Sequence, residues 1–307
     1  MHDGNAESNL INVQHKKLAM RVSVITMIVN IALLAAKLAI GIVASSGAMI
    51  SDAIHSASDV FSTVIVMVGI QISSKGPDKK HQYGHERLEC VASIILALIL
   101  LETGVAIGVN GLQTIFSGHY ENLVVPGKSA LVIALMSVIV KEWMFWYTRS
   151  AAKKVNSGAL MADAWHHRSD ALSSVGAFIG IGGAIMGYPV MDSVASVVIC
   201  LFILKAAIDV FLDAINKMVD KSCDDETVLK IRRVVEAQDG VIEIDSLQTR
   251  LFGNKIYVDI EICVDGNKTL KQSHEIAENV HLSIENEFAS VKHCMVHVNP
   301  YEREPQV

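Results

Sequence analysis

The sequence predicts an α-helical membrane protein with six transmembrane helices, followed by a small α+β domain. Hydrophobic residues make up 51% of the chain and the mean hydropathy is +0.39, and both values are high for a soluble protein. The apolar residues are concentrated before about residue 216, and the charged residues are concentrated after it. Polar segments divide the apolar part into six stretches, each long enough to cross a bilayer.

The transmembrane domain is predicted at residues 15–216, after a polar N-terminal segment, 1–14, that is predicted to be disordered. Its six spans lie at residues 18–43, 48–73, 87–116, 127–148, 158–186 and 190–216. Lysine and arginine cluster before the first span, between the second and third, between the fourth and fifth, and after the sixth. By the positive-inside rule these segments and both termini are cytoplasmic. We expect an integral protein of a bacterial plasma (inner) membrane.

The C-terminal residues, 217–303, predict a ferredoxin-like cytosolic domain with the element order αββαβ, followed by a short tail, 304–307. The predicted elements are a helix at 226–238, strands at 242–251 and 255–264, a helix at 269–288 and a strand at 291–298. Gly253 and Asn254 supply a hairpin turn between the first two strands. The sequence YVDIEICV in the second strand alternates in polarity, as a half-buried strand does.

One segment occurs twice in the predicted membrane domain. SGAMISDAIHSASDVFSTV begins at Ser46, SGALMADAWHHRSDALSSV begins 111 positions later, and ten of the nineteen aligned residues are identical. Each copy carries a histidine and an aspartate four residues apart, His55 with Asp59 and His166 with Asp170. On a helix, residues at this spacing lie one turn apart on the same face.

These four side chains predict a metal site. An ionisable residue inside a membrane span is costly and marks a functional site by default. The alternative is that each histidine bonds a backbone carbonyl and each aspartate a neighbouring serine, and the duplication of the pattern weighs against it. Two imidazoles and two carboxylates on facing helices suit a tetrahedral divalent transition metal, zinc above all.

Two further groups are candidate metal ligands. Asp78, His81 and His85 lie within eight residues in the loop between the second and third spans, where the alternative is an ordinary solvated loop. Aspartates and histidines also recur in the C-terminal domain, with Asp259 and His297 the best candidates, although surface histidines often have no specific function. No HExxH, P-loop or GxSxG motif is present, so the sequence gives no support for a hydrolase.

In combination, the six spans, the two HxxxD copies, the loop sequence PDKKHQYGHERLE and the αββαβ domain make the chain resemble the cation diffusion facilitators. The resemblance extends from about Val13 to Tyr301. Within the family, the chain is similar to bacterial zinc and ferrous-iron efflux transporters. It implies a homodimeric exporter that moves Zn²⁺ or a related divalent ion out of the cytosol in exchange for protons.

The resemblance also implies the site residues. The transport site and the loop site of the family fall on the two residue sets selected above. Its third site, which bridges the dimer in the cytosolic domain, falls on Asp245, Asp259, His274 and His297. The chain departs from bacterial zinc and iron members here, because they carry histidines at the two aspartate positions and an aspartate at the position of Asn299.

The sequence thus predicts a secondary transporter and not an enzyme. Metal loading must expel protons from the ligands and protonation must expel metal, so one alternately exposed site couples both ions.

The expected partners are the lipid bilayer, divalent ions and a second copy of the chain. The net charge of −6 argues against a nucleic-acid partner. Fe²⁺, Co²⁺ and Cd²⁺ are alternative cargoes, whereas Mn²⁺ prefers more oxygen ligands. A non-transporting membrane metal sensor is the other alternative.

Overall fold

The computed structural model describes residues 3–43, 47–117, 128–185 and 190–301 of the 307-residue chain. Within these ranges, side chains are described for residues 13–39, 42, 56–57, 59–117, 135–175 and 193–301. The chain forms two compact units. One comprises His15–Ile215, and the other is built mainly from the residues that follow.

Six long helices make up most of the first unit. They are α1 (Asp3–Val43), α2 (Gly47–Ser73), α3 (Leu88–Ser117), α4 (Lys128–Val155), α5 (Gly158–Ile185) and α6 (Val190–Met218). The shortest, α2, has 27 residues. At a rise of about 1.5 Å per residue, this length exceeds the thickness of a bilayer core. The predicted helical transmembrane domain is confirmed.

The helices differ in how apolar they are. Among the described residues, three segments are long and apolar enough to cross a membrane by composition alone, namely Val13–Ala39, Leu88–Ser117 and Ser193–Met218. Buried polar side chains also lie on α2, α4 and α5, among them Asp59, Lys141 and His166. A buried ionisable side chain in a membrane helix requires a partner or an ion.

The first helix begins earlier than the sequence predicts. It starts at Asp3, whereas disorder was the expectation for residues 1–14. Helix formation is cooperative, so a polar segment that adjoins a stable apolar helix extends it at little cost. Asp3 and Glu7 also place negative charge near the N-terminus, where the helix dipole stabilises it. Residues 1–2 and 302–307 lie outside the described residues.

Small residues allow the membrane helices to approach closely. Half of the buried core cluster of this unit is alanine and the other half is larger aliphatic residues: Ala19, Val66, Ile70, Ala92, Leu96, Ala97, Ala152, Val155, Ala159, Leu160, Ala162 and Val210. Close packing of this kind holds helices together in a membrane, where the hydrophobic effect between them is weak. At Gly69 on α2, an added Cβ would lie 2.5 Å from the Cβ of Ala92 on α3. The contact fixes α2 about three turns from Asp59.

The second unit contains a three-stranded sheet with two helices. Its elements are α7 (Asp225–Glu236), β1 (Glu243–Phe252), β2 (Lys255–Asp265), α8 (Leu270–Glu287) and β3 (Val291–Tyr301). The strand order is β1-β2-β3, with β1 and β2 antiparallel and β2 and β3 parallel. Gly253 adopts φ 63° in the hairpin turn. The predicted αββαβ order is confirmed.

Both helices of this domain cover the same face of the sheet. Their apolar residues pack against Val258, Ile260 and Ile262 of β2. Because side chains alternate along a strand, Asp259, Glu261 and Cys263 lie on the opposite face. Asp224 caps α7 by accepting a hydrogen bond from the backbone N–H of Thr227.

The close contact at Gly69 generates a stability prediction. Gly69→Ala is expected to lower the melting temperature of the purified protein, because α2 and α3 would have to separate to admit the new methyl group. A loss of about 1–3 kcal/mol is expected. Gly76→Ala is the matched control, since nothing lies within 4 Å of a Cβ added there. Equal melting temperatures in the two variants would contradict the packing argument.

Candidate metal sites

The duplicated segments bring three ionisable side chains together between α2 and α5. Asp59 on α2 is 1% exposed and His166 on α5 is 3% exposed, and His166 Nε2 lies 3.2 Å from Asp59 Oδ1. Asp170, one turn after His166, completes a group whose ligand atoms all lie within 4.8 Å of one another. A group this compact can hold one divalent cation with two carboxylates and an imidazole.

The fourth predicted ligand of this site is His55. It lies on α2 one turn before Asp59, as its spacing in the sequence requires. Its side chain is outside the described residues, so its role as a ligand stays a prediction. The structure therefore brings together three of the four residues that the repeat predicts.

A lysine that sequence reasoning did not assign to the site reaches it from α4. Lys141 is 4% exposed, and its Nζ donates to Asp59 Oδ2 at 2.6 Å and to Asp170 Oδ2 at 3.0 Å. The ammonium group thus bridges the two carboxylates that are candidate metal ligands. A single lysine in an apolar span was the available signal, because a buried charge in a membrane segment requires a partner.

A group of side chains next to Lys141 joins α4 to α5. The guanidinium of Arg168 lies 4.4 Å from the centre of the Phe145 ring and 3.7 Å from Glu142 Oε1. Trp146 Nε1 donates to the same Glu142 oxygen at 2.9 Å. A partly exposed ion pair such as that of Arg168 with Glu142 contributes little stability by itself. The cation–π contact of Arg168 with Phe145 adds to the attraction, and together the two contacts fix the rotation of α4 against α5. The rotation sets which face of α4 presents Lys141.

Asp163 and His167 form a second buried pair on α5. Both are fully buried, and His167 Nε2 lies 3.5 Å from Asp163 Oδ2. The compact group around Asp59 contains neither of them. An aspartate beside a histidine in this position can orient the helix that carries His166 and Asp170 without binding the ion itself.

The loop between α2 and α3 gathers its three candidate ligands as predicted. The ligand atoms of Asp78, His81 and His85 all lie within 4.8 Å of one another. His85 Nδ1 lies 3.2 Å from the carbonyl oxygen of Gly76. A histidine that donates from Nδ1 to a carbonyl keeps Nε2 available for a metal, and His85 Nε2 is 3.4 Å from Asp78 Oδ2.

The conformation of this loop also keeps its carboxylate charged. The backbone N–H groups of His81 and Lys80 donate to Asp78 Oδ1 at 2.7 and 2.8 Å. These bonds hold the pKa of the Asp78 carboxyl below its usual range. The carboxylate is therefore ionised at any cytosolic pH and needs no deprotonation to bind a cation.

The four residues predicted in the C-terminal domain do not meet in one chain. Asp245 lies at a bulge in β1, beside Cys263, whereas Asp259 lies four residues before Cys263 on β2. By register Asp245 lies opposite Glu261 and Ile262, two to three residues beyond Asp259, so the two carboxylates are not direct cross-strand neighbours. His297 shares the outer face of the sheet, but the exposed His274 lies on α8, which covers the other face.

Asp245 has protein partners instead. Asn299 Nδ2 donates to Asp245 Oδ2 at 2.7 Å, and the thiol of Cys263 donates to the same carboxylate at 3.1 Å. The hydrogen bond to Asp245 raises the pKa of the Cys263 thiol to about 11, so that it stays protonated. Asp259 lies 4.0 Å from Arg250. The compact ligand groups among the described residues do not include Asp245, Asp259, His274 or His297, so their role as metal ligands stays a prediction.

Comparison with known families assigns both parts of the chain. Residues 23–219 match the family model of the cation efflux transmembrane domain. Residues 223–301 match that of the cytoplasmic domain of cation efflux proteins. The boundary between the two matches lies next to the boundary between the two compact units.

Curated relatives match over most of this chain. The manganese efflux system protein MneP of Bacillus subtilis is 32% identical over 95% of this chain and 99% of its own length. The magnetosome protein MamB of a Magnetospira species is 30% identical over 89% of this chain and 92% of its own. Metal tolerance protein C1 of Arabidopsis thaliana is 32% identical over 88% of this chain, which spans 60% of that longer protein.

The loop site generates a binding prediction. Asp78→Asn should remove one metal-binding event from the calorimetric titration of the purified protein, or weaken it by at least about tenfold, because the anionic ligand is lost. The amide oxygen of asparagine can still accept the two backbone bonds, so the loop conformation should persist. Asp239→Asn, an equivalent change at an exposed turn, is the control.

The pKa of Asp78 sets the pH range of this effect. A carboxyl whose pKa is depressed in the folded protein keeps its charge until the pH falls through that lowered value. His81 and His85 bind metal only when they are not protonated, so both proteins should lose affinity on acidification. The ratio of the dissociation constants of Asp78→Asn and wild type should stay the same at every pH where binding is still measurable. A ratio that falls to one while both proteins still bind would contradict the assignment of Asp78 as a permanently charged ligand.

Proposed function

The chain belongs to the cation efflux family of metal transporters, also called cation diffusion facilitators, and from this premise we propose that it exports a divalent transition metal ion in exchange for protons. The observation that carries the proposal is the buried group of Asp59, His166 and Asp170 on two membrane helices. Such a group is expensive to place in a membrane unless it binds an ion. The site then serves a transported ion and not a catalytic reaction.

Proton coupling follows from the chemistry of the ligands. A carboxylate or an imidazole binds metal only when it is not protonated, so metal loading and protonation exclude each other at this site. A site that opens first to the cytosol and then to the far side would load metal on one side and exchange it for protons on the other. The proposal includes His55 as a fourth ligand, supported by its position one turn from Asp59.

Zinc is the first cargo to consider. Two imidazoles and two carboxylates in a tetrahedral arrangement are a zinc ligand set. Manganese is the second candidate, and a specific observation favours it, since MneP is named as a manganese efflux protein. The carboxylate pair Asp59 and Asp170 is also the oxygen-rich part of the site that a harder ion would use.

The rest of the chain fits an exporter in a plasma membrane. We propose a homodimer with the C-terminal domain in the cytoplasm, supported by the match of that domain to the cytoplasmic domain of cation efflux proteins and by the distribution of basic residues. Asp259 and His297 lie on the open face of the sheet. In a dimer, this face can contact a second chain, and ligands from both chains could then share a metal ion. A sensor that only anchors itself in the membrane would not require buried ligands there.

The transport site generates a flux prediction. Asp59→Ala and Asp170→Ala should each reduce metal uptake into proteoliposomes to the background of protein-free vesicles, because each removes an anionic ligand that the remaining groups cannot replace. Asp209→Ala, the same change at an exposed position of α6, should transport normally. Wild-type flux in either site variant would exclude this group as the transport site.

The cargo and the counter-ion are tested together. Uptake of Zn²⁺, Mn²⁺, Fe²⁺, Co²⁺ and Cd²⁺ into inverted vesicles should depend on a proton gradient for every ion that is transported. We expect the highest rate with Zn²⁺. A higher rate with Mn²⁺ would select the second candidate, and uptake that ignores the gradient would exclude proton exchange.

A further inference from the structure

Lys141 contacts both carboxylates that are candidate metal ligands. Its Nζ lies 2.6 Å from Asp59 Oδ2 and 3.0 Å from Asp170 Oδ2. A zinc ion bonded to the same two oxygens, at about 2.0–2.2 Å, would lie next to the ammonium group in a buried site. Two cations that share these oxygens repel each other strongly there, so the lysine and the metal compete for them.

Charge balance favours exchange over coexistence. The two carboxylates carry two negative charges, which a divalent ion neutralises without help. If the ammonium stayed in place beside that ion, the buried group would carry an excess positive charge, which a low-dielectric interior penalises strongly. The lysine side chain is long and flexible, so it can withdraw from the carboxylates while its helix stays in place.

We infer that Lys141 is a tethered cation that competes with the transported metal for Asp59 and Asp170, and so lowers the affinity of the site and assists release of the metal. The inference rests on the proposed function, because it assigns the competitor at the same transport site. It differs from a purely structural ion pair, since it makes the lysine an alternative occupant of the site.

Neighbouring contacts show that Lys141 is held where it can compete. The contacts of Arg168 with Phe145 and Glu142 fix α4 against α5, the helix that carries Asp170. The ammonium therefore returns to the same two oxygens whenever the metal leaves. A competitor tied to the scaffold has a high effective concentration and does not diffuse away.

The test is metal binding by the purified full-length protein, with Zn²⁺ and Mn²⁺ as probes. Lys141→Met removes the competing charge and should bind metal at least about tenfold more tightly than wild type. Lys141→Arg keeps the charge and can hold both carboxylates with two parallel hydrogen bonds, so it should bind metal more weakly than wild type. Lys153→Met, the same change at an exposed position of α4, should leave the affinity unchanged.

The opposite directions of the two Lys141 variants separate competition from structural support. Lys141→Met should also lower both KM and the maximal rate in proteoliposomes, because metal would bind more tightly and leave more slowly. Weaker or unchanged binding in Lys141→Met would overturn the inference. If Lys141→Met does not fold, the metal affinity of Lys141→Arg is the test. A Lys141→Arg variant that binds metal as tightly as wild type, or more tightly, would overturn the inference.

Failure of the inference can be told apart from failure of the proposed function. The binding event that is lost in Asp59→Ala identifies the membrane site in the titration of the wild type. If wild type shows no metal transport that depends on Asp59, the proposed function falls and this inference falls with it. If that transport is present but Lys141→Met binds metal no more tightly, only the inference falls.

Discussion

The membrane domain is organised by the need to neutralise two carboxylates that lie close together in its interior. Asp59 and Asp170 come from different helices and share one ammonium group, that of Lys141. Two like charges at this distance in a medium of low polarity would repel each other strongly without a cation between them. Their charge must therefore be neutralised at every stage. In the proposed transport cycle the ammonium of Lys141, protons and the transported ion can each do so.

Helix packing in this unit serves that requirement. Alanine and glycine allow α2, α3 and α5 to approach closely, so the polar atoms of the site lie at hydrogen-bonding distances without large side chains between them. The contacts of Arg168, Phe145 and Glu142 fix α4 against α5 next to Lys141. The helices α4 and α5, which contribute Lys141 and Asp170, are thus held together beside the site.

The three regions that carry candidate ligands differ in which partners the protein itself provides for those ligands. The membrane group is buried and already contains a cation from the protein. The loop group has a carboxylate kept charged by backbone N–H groups and a histidine oriented by a carbonyl, so its ligands are arranged in advance. The C-terminal domain satisfies Asp245 internally and leaves Asp259 and His297 on an open sheet face. These differences favour transport in the membrane, capture of metal in the loop, and contacts between chains in the C-terminal domain.

The sequence by itself determined the elements and the residues whose relationship is local. Apolar stretches long enough to cross a bilayer predicted the six helices, and strand alternation supported the αββαβ order. The spacing of four residues placed His166 and Asp170 on one face of α5. The loop ligands lie within eight residues, so their proximity was also predictable. Only the tertiary structure decided the role of Lys141, which is 82 residues from Asp59 and 29 from Asp170. No spacing rule connects residues so far apart, because their contact depends on how three helices pack. The tertiary structure likewise decided the partners of Asp245, since the bulge in β1 and the strand register place its carboxylate beside Cys263 and Asn299.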